Sequence, residues 1–458
     1  MMRAFSLAEA QQWTGATTVA QAPEQIRFEG VSTDTRALTD GQLFVALRGE
    51  NFDGHRFLQK ARDCGAVAAV VDLADPAVDL PQLVVKDTVD ALARLAAGNR
   101  DESAAALVAV TGSSGKTTVR EMTAAILAQM GPTLATQGNL NNHIGVPLTL
   151  FGLEPKHRFG AIELGASGLG EIAHTVAITR PRVAILTNAG SAHLEGFGSY
   201  ENIVLAKGEI IDGVPEDGLV VLNRDDPAFD QWRARAGERR VVSVSRAGHP
   251  DADYRSELID AGTAGQSFRV TGPGRWHCTL SLALAGEHNL TNAMLAVAAA
   301  RELGADDRAI TAGLAAVAPV KGRLQSLELT PQLTVIDDSY NANPASIKAA
   351  LSVLAKRPGT RVAVLGGMAE LGPQARSMHQ DVGEFARVEG IERLVTVGPG
   401  CEGYADGFGA GTEMFQTHDE AVTAVLAGQQ APLTVLVKGS RSSAMDRVVE
   451  GIKEKVNN

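Results

Sequence analysis

Cysteine is scarce in this chain: three among 458 residues, Cys64, Cys278 and Cys401, far apart and never in CxxC spacing. That distribution excludes a zinc cage and a disulfide framework, and it fits a reducing compartment. Long apolar runs are missing as well. No stretch approaches the roughly 20 consecutive apolar residues that cross a bilayer, and the opening MMRAFSLAEAQQWTG lacks the apolar core of a signal peptide. A soluble, cytoplasmic protein without a membrane span is expected. Positive charge is in deficit, with 42 Lys and Arg against 53 Asp and Glu and a net charge of −11. So acidic a surface argues against a nucleic-acid partner, which needs a basic face to displace counterions. A small basic pocket for an anionic ligand remains compatible with it. Fixed-period repeats, low-complexity tracts and coiled-coil heptads are also absent.

What is present reads as a well-filled core. Hydrophobic residues make up 45% and charged residues 21%, ordinary values for a globular protein. The length suggests about three domains. Glycine is generous at 48 residues, much of it at the ends of apolar runs. The recurring unit is a short apolar run, a glycine-rich turn and a helical pattern, the mark of parallel α/β architecture. The expected fold is three α/β domains. A small N-terminal α/β domain covers residues 1–85, with strand candidates QLFVAL (42–47) and AVAAVV (66–71). A central parallel-sheet domain covers 86–318, with LVAVT (107–111), FGAIEL (159–164), RVAILT (182–187) and GLVVLN (218–223), then a less regular β-rich stretch over 239–285. A doubly wound, Rossmann-like domain covers 319–458, with LTVIDD (333–338), RVAVLGG (361–367), RLVTVG (393–398) and LTVLVKG (433–439).

The segment LVAVTGSSGKTT (107–118) runs strand, glycine-rich turn, Lys, Thr, Thr and then a helical pattern. Backbone N–H groups at a helix start, with the positive end of its dipole, make a phosphate site. Lys116 would reach the β- and γ-phosphates and the Thr117 hydroxyl would ligate Mg²⁺. The general pattern asks for glycine where Val110 stands. TNAGSAH (187–193) lacks the Lys and Asp of a guanine-reading segment, so ATP is favoured over GTP. Glu163 closes a strand at the end where α/β folds bind ligands, placed to hold Mg²⁺ or simply to meet solvent. His193 sits in a Gly/Ser-rich loop after the next strand. Lys207 lies on a largely apolar helix, either snorkelling outward or held for a purpose. Asn139, Asn141, Asn142 and His143 form a dense polar run. His288, Asn289 and Asn292 precede a helix as caps or as base contacts. In DDSYNANP (337–344) the two acids either grip a ribose or end a strand ahead of a capped helix.

Taken in order, TGSSGKTT, GNLNNHIGVP, IELGAS, TNAGSAHLEGFGS, AKGEI, LNRDD, GEHNLTNA, KGR, DDSYNANPAS and VKGSR closely resemble the Mur ligase family of ATP-dependent peptidoglycan amide ligases. The resemblance covers nearly the whole chain, and that family's loop generally begins at TG, so Val110 is no departure within it. STDTR (32–36), LNNHIGVP, DDSYNANP and KGSRSSAM are similar to the member that joins D-alanyl-D-alanine to UDP-N-acetylmuramoyl-tripeptide. The resemblance implies a UDP-sugar domain, a central ATPase domain and a third domain closing on ATP and the dipeptide; nothing in the sequence demands more than a monomer. It implies that ATP is held by Gly112, Ser113, Ser114, Gly115, Lys116, Thr117 and Thr118, with His288, Asn289 and Asn292 by the adenine. Arg323 would lie by the γ-phosphate and Asp337 or Asp338 by the ribose. Two Mg²⁺ ions are implied, one served by Thr117 and Glu163, the other by His193 and a carbamylated Lys207. Ser32, Thr33, Asp34 and Arg36 would face the uridine diphosphate. Asn139, Asn141 and His143 would follow the muramoyl peptide, with Tyr340, Asn341 and Asn343 also contacting substrate. Two rivals stay open: a sibling ligase that adds a single amino acid or a glutamate tail, and a nucleotide-switch protein that makes no small molecule.

Overall fold

The computed structural model describes residues 2–18, 22–190, 194–262, 265–427 and 432–457. Three larger sheets organise them. The first has five strands in the order Thr17–Thr18, Gln82–Val84, Ala68–Val71, Leu43–Val45, Val31–Ser32, parallel except for the first pair. Its opening helix, Leu7–Thr14, starts where the Ser6 side chain accepts from Glu9 N and Glu9 reaches back to Ser6 N, a capping box that satisfies two orphan donors.

The central sheet has nine strands. Six run parallel in the order Thr133–Ala135, Phe159–Glu163, Ala106–Thr111, Val183–Leu186, Leu219–Asn223, Arg240–Ser245. Tyr254–Ala261 joins them in parallel, and Gln266–Gly272 and Trp276–Leu282 extend the edge antiparallel. Composition explains the division. Val183–Leu186 is buried at every position because helices cover both faces, whereas Gln266–Gly272 alternates, burying Gln266, Phe268 and Val270 and exposing Arg269 and Thr271. The irregular β-rich stretch read from the sequence is this one-sided extension. The alanine-rich helix His288–Glu302 is buried almost all round, between the sheet and the helix Lys116–Ala128.

The third sheet has six strands in the order Gln325–Thr330, Leu333–Asp338, Leu433–Lys438, Thr360–Gly366, Arg393–Val397, Thr412–Phe415, with only the first pair antiparallel. It docks on the central unit through Glu195 N donating to Glu370 O at 3.0 Å and through Lys356 pairing with Glu287 at 2.9 Å. The carboxyl ends of central and third-sheet strands thereby face one crevice. No helix among the described residues is long and apolar enough to cross a membrane.

The helix Lys116–Ala128 is seated by a close approach: a Cβ on Gly313 of the neighbouring helix Asp307–Ala315 would collide with the Ile126 backbone. Backbone cannot step aside as a side-chain tip can. Gly313→Ala is therefore expected to destabilise the protein by about 1–3 kcal/mol of overpacking, less about 1 kcal/mol regained in helix propensity. A lowered urea midpoint would show it; an unchanged or raised midpoint would mean the two helices separate freely.

Candidate functional site

The crevice, about 690 Å³ in volume, is walled by central and third-sheet residues together, a size suited to a nucleotide-sized ligand. Its floor is the loop after Ala106–Thr111. Gly112 takes φ +146° and lies so close to Thr187 that a Cβ would strike its hydroxyl; Gly115 takes φ +78° against Asn292. Only glycine meets both demands. The loop is then pinned from the next strand. Ser113 N donates to Asn188 O and Ser114 N to Asn188 Oδ1, both at 3.0 Å, while Thr187 Oγ1 donates to Ser114 O at 2.6 Å. Lys116 Nζ donates to Gly112 O at 2.7 Å, which holds it over the loop. Burial lowers the Lys116 pKa; Glu163 opposes that shift and Arg323 adds to it. Ser113, Ser114, Gly115, Lys116, Thr117 and Thr118 line the crevice.

Glu163, 2% exposed, ends its strand facing this loop. Its Oε2 accepts from Thr117 Oγ1 at 2.9 Å and its Oε1 from Asn141 Nδ2 at 2.8 Å. Arg120, itself tied to Thr136 and Glu121, stands 3.9 Å away. Asn139 and Asn142 also line the crevice, Asn142 accepting from Gly145 N at 2.8 Å as a local cap, whereas His143 is exposed away from the lining. Lys207, also 2% exposed, stands behind the wall. Its Nζ donates to the carbonyl of Ala166, a lining residue, at 3.1 Å, and lies 5.0 Å from the Phe197 ring centre. Burial, then Lys116, pushes its pKa down to about 7, against the pull of Glu171 and Glu209. His193 lies outside the described residues.

His288, Asn289 and Asn292 line the opposite side. Asn292 Nδ2 donates to Asn289 Oδ1 at 2.9 Å, and Asn289 Nδ2 to Ala285 O at 2.7 Å. Burial, with Lys438 and Arg246, lowers the His288 pKa to about 4, so the ring is neutral at pH 7. The third domain supplies Arg323, whose guanidinium stacks 4.4 Å from the Tyr340 ring centre. Asp338 lines the crevice and pairs with Lys438 at 2.6 Å; burial raises its pKa and Lys438 opposes the rise. Asp337 turns the other way, accepting from Ser339 Oγ at 2.5 Å, and is not in the lining. Asn341 lines the crevice and takes Lys438 Nζ on its carbonyl at 2.8 Å. Asn343, also lining, spends its side chain on the capping box of Pro344–Ala355. Ser32, Thr33, Asp34 and Arg36 lie outside the lining, in the N-terminal unit. There Arg36 binds Asp34 through Nη2 at 2.6 Å and lowers its pKa to about 2.

Sequence reasoning missed three groups. Glu171 lines the crevice and acts on Lys207. Asp226 accepts from Ala189 N at 2.9 Å, holding the backbone just after the strand Val183–Leu186. Lys438 neutralises Asp338. Asp226 and Lys438 lie in segments with a recognisable pattern, LNRDD and VKGSR; Glu171 carries no local signal.

Comparison with known proteins follows the same division. The Mur ligase family catalytic domain matches residues 27–100, the Mur ligase middle domain 110–300, and the Mur ligase glutamate ligase domain 322–441. The UDP-N-acetylmuramoyl-tripeptide–D-alanyl-D-alanine ligase of Escherichia coli (strain K12) is 46% identical over 431 residues, 94% of each chain. The crystal structure of MurF from Acinetobacter baumannii superimposes with a TM-score of 0.93 at 34% identity, over 99% of both chains. That of the Thermotoga maritima MurF ligase in complex with ADP gives 0.84 at 28% identity, over 93% of this chain and 98% of that one.

A lysine titrating near 7 when folded and near 10.4 when unfolded binds fewer protons in the folded state between those values. Its destabilising effect is complete below pH 7 and is relieved as pH rises toward the unfolded value. In carbonate-free buffer at pH 6, Lys207→Met is expected to stabilise the protein by about 1–3 kcal/mol, with the gain shrinking by pH 9. A variant less stable at pH 6 would mean the ammonium is well solvated.

Proposed function

The chain belongs to the Mur ligase family, and we propose that it joins D-alanyl-D-alanine to the tripeptide carboxylate of UDP-N-acetylmuramoyl-tripeptide, driven by ATP. One observation carries this reading. Lys116 from the central unit and Arg323 from the third domain meet across a single crevice, with Glu163 at its edge and the buried Lys207 behind it. Free carboxylate and amine do not condense usefully at neutral pH, because oxide is a poor leaving group. The carboxylate oxygen attacks the γ-phosphorus of ATP, and ADP leaves with the bond's electron pair. The dipeptide amine then adds to the acyl phosphate carbon and loses a proton, and the tetrahedral adduct collapses to amide and phosphate. Phosphoryl transfer needs positioning and charge neutralisation. Loop N–H groups and Lys116 hold the phosphates, and Arg323 approaches from the facing wall. The neutral His288, with Asn289 and Asn292, borders the base, and Asp338 the ribose, with Asp337 bracing the strand end behind it. Asn139, Asn141 and His143 attend the muramoyl peptide; Tyr340, Asn341 and Asn343 the acceptor side; Ser32, Thr33, Asp34 and Arg36 the uridine diphosphate.

The residues present fit magnesium. Thr117 and Glu163 offer hard oxygen donors 2.9 Å apart at the loop's edge. Lys207 fits only once modified, since an ammonium ligates nothing. With its pKa near 7 the free amine is well populated at neutral pH, and that form adds CO₂ to give a carbamate and a proton. Thr117 and Glu163 would hold one ion, the Lys207 carbamate and His193 the other. When bound, these ions would neutralise phosphate oxygens that otherwise repel the carboxylate. Closure of the third domain excludes water from the acyl phosphate. A monomer in the cytoplasm suffices for all of this.

Phosphate release from Mg-ATP should require both the UDP-linked tripeptide and D-alanyl-D-alanine. Release with a single amino acid would make the protein a sibling ligase, and ATP binding with silence in every arm would favour a nucleotide switch. Lys116→Ala should lower kcat by about 100- to 1,000-fold; robust turnover by that variant would overturn the loop's role.

A further inference from the structure

The helix Glu171–Thr179 has Gly170, at φ +84°, as its N-cap, so no side chain at that position accepts from the leading N–H groups. A neighbouring helix supplies the acceptor instead. Glu209, on the helix Tyr200–Asp212, is buried and takes Gly170 N on Oε1 at 2.8 Å and Ala173 N on Oε2 at 2.9 Å. A carboxylate suits that place, since the helix dipole is positive there and both oxygens find backbone donors. The two helices also meet further along, where a Cβ on Gly213 would come within 2.4 Å of Val176 Cγ2.

The turn held in this way forms part of the crevice wall. It runs from Glu163 at a strand end to Glu171 at the helix start, and Gly165, Ala166 and Ser167 between them line the crevice. Ser167 N donates to Glu171 Oε2 at 3.1 Å, and a Cβ on Gly196 would come within 2.4 Å of Ser167 O. Lys207, two residues before Glu209, donates from Nζ to Ala166 O at 3.1 Å. One helix therefore grips one turn twice, with Lys207 at Ala166 and Glu209 at Gly170. Glu209 itself is not in the lining.

We propose that Glu209 is a positioning residue for Lys207: by capping Glu171–Thr179 from the neighbouring helix, it fixes the Ala166 carbonyl and hence where the Lys207 nitrogen sits. The inference rests on the carbamate reading above, in which that nitrogen bonds to the carbon of CO₂ and releases a proton. An adduct that serves as a ligand must form in one place, so the seat of the nitrogen governs how readily it forms and acts.

The test supplies carbon-13 bicarbonate to the intact chain and follows the adduct by NMR, with kcat and KM measured alongside, in the wild type, Glu209→Ala and Glu209→Gln. Lys207→Met identifies the signal. Glu209→Ala should raise the half-saturating bicarbonate by about 10-fold or more. Its kcat should fall in step and return with excess bicarbonate, while KM for ATP and both co-substrates stays unchanged. Glu209→Gln, whose amide oxygen keeps one of the two bonds, should shift the bicarbonate dependence less, and it carries the comparison if the Ala variant does not fold. Asp87→Ala is the structural control, because it removes a cap on Val89 N and Asp90 N from a helix outside the crevice. It should lower the urea midpoint without moving the bicarbonate dependence. Glu209 variants with the wild-type dependence, an equal shift in Asp87→Ala, or a loss of kcat that bicarbonate does not restore would each overturn the assignment. A wild type with no Lys207-dependent signal overturns the carbamate reading, and the inference falls with it.

Discussion

Two cations from different domains meet at the crevice on which the candidate site is built. Lys116 and Arg323 come from different domains and face the same crevice, close enough that Arg323 works with burial to lower the Lys116 pKa, against Glu163. Like charges brought together in a partly desolvated cleft are unfavourable unless counter-charge lies near them, and Glu163 supplies only one such charge for the two cations. A polyphosphate meets that requirement. The crevice is therefore an electrostatic question posed by the protein, and the transferred phosphoryl group is the answer that the ligase reading supplies.

Much of the surrounding structure keeps those charges where they are. Gly112 and Gly115 let the loop pass beneath Thr187 and Asn292, and Asn188 holds it from the adjoining strand. Asp226 holds the backbone at Ala189. On the facing wall Gly322 takes φ +74° and its carbonyl accepts from Tyr340 N at 3.1 Å, which sets Arg323 against the Tyr340 ring. Nearby acids and bases are mostly spent on one another, as in the Lys438–Asp338 pair. Lys207 stands apart as a buried amine with one carbonyl partner and a pKa near neutrality, the state in which an amine is chemically most versatile at physiological pH.

The sequence made the α/β architecture legible because buried parallel strands are continuous apolar runs and because glycine marks their turns into helices. Val183–Leu186 and Leu433–Lys438 are of that kind. The loop proposed to hold phosphate stands out for the same reason: its residues are consecutive. Partners distant in sequence were not. Nothing local to Glu171 says that it faces Lys207, and nothing in DDSYNANP tells which acid meets the crevice; the strand pleat decides that, turning Asp338 outward and Asp337 under Ser339. The polar run around residue 140 divides in the same way. Asn141 reaches Glu163, while Asn142 spends its carbonyl on the backbone of the following helix. Asparagine serves equally as ligand and as cap, and composition does not separate the two roles.

The most direct measurement is a double-mutant cycle between Lys116 and Arg323 on the binding of a non-hydrolysable ATP analogue, repeated with ADP. If both cations hold the same γ-phosphate, Lys116→Gln and Arg323→Gln should couple by about 1 kcal/mol or more with the analogue, and much less with ADP. Additive losses for both nucleotides would mean that the cations never share a phosphate, and the account built on their opposition would fail.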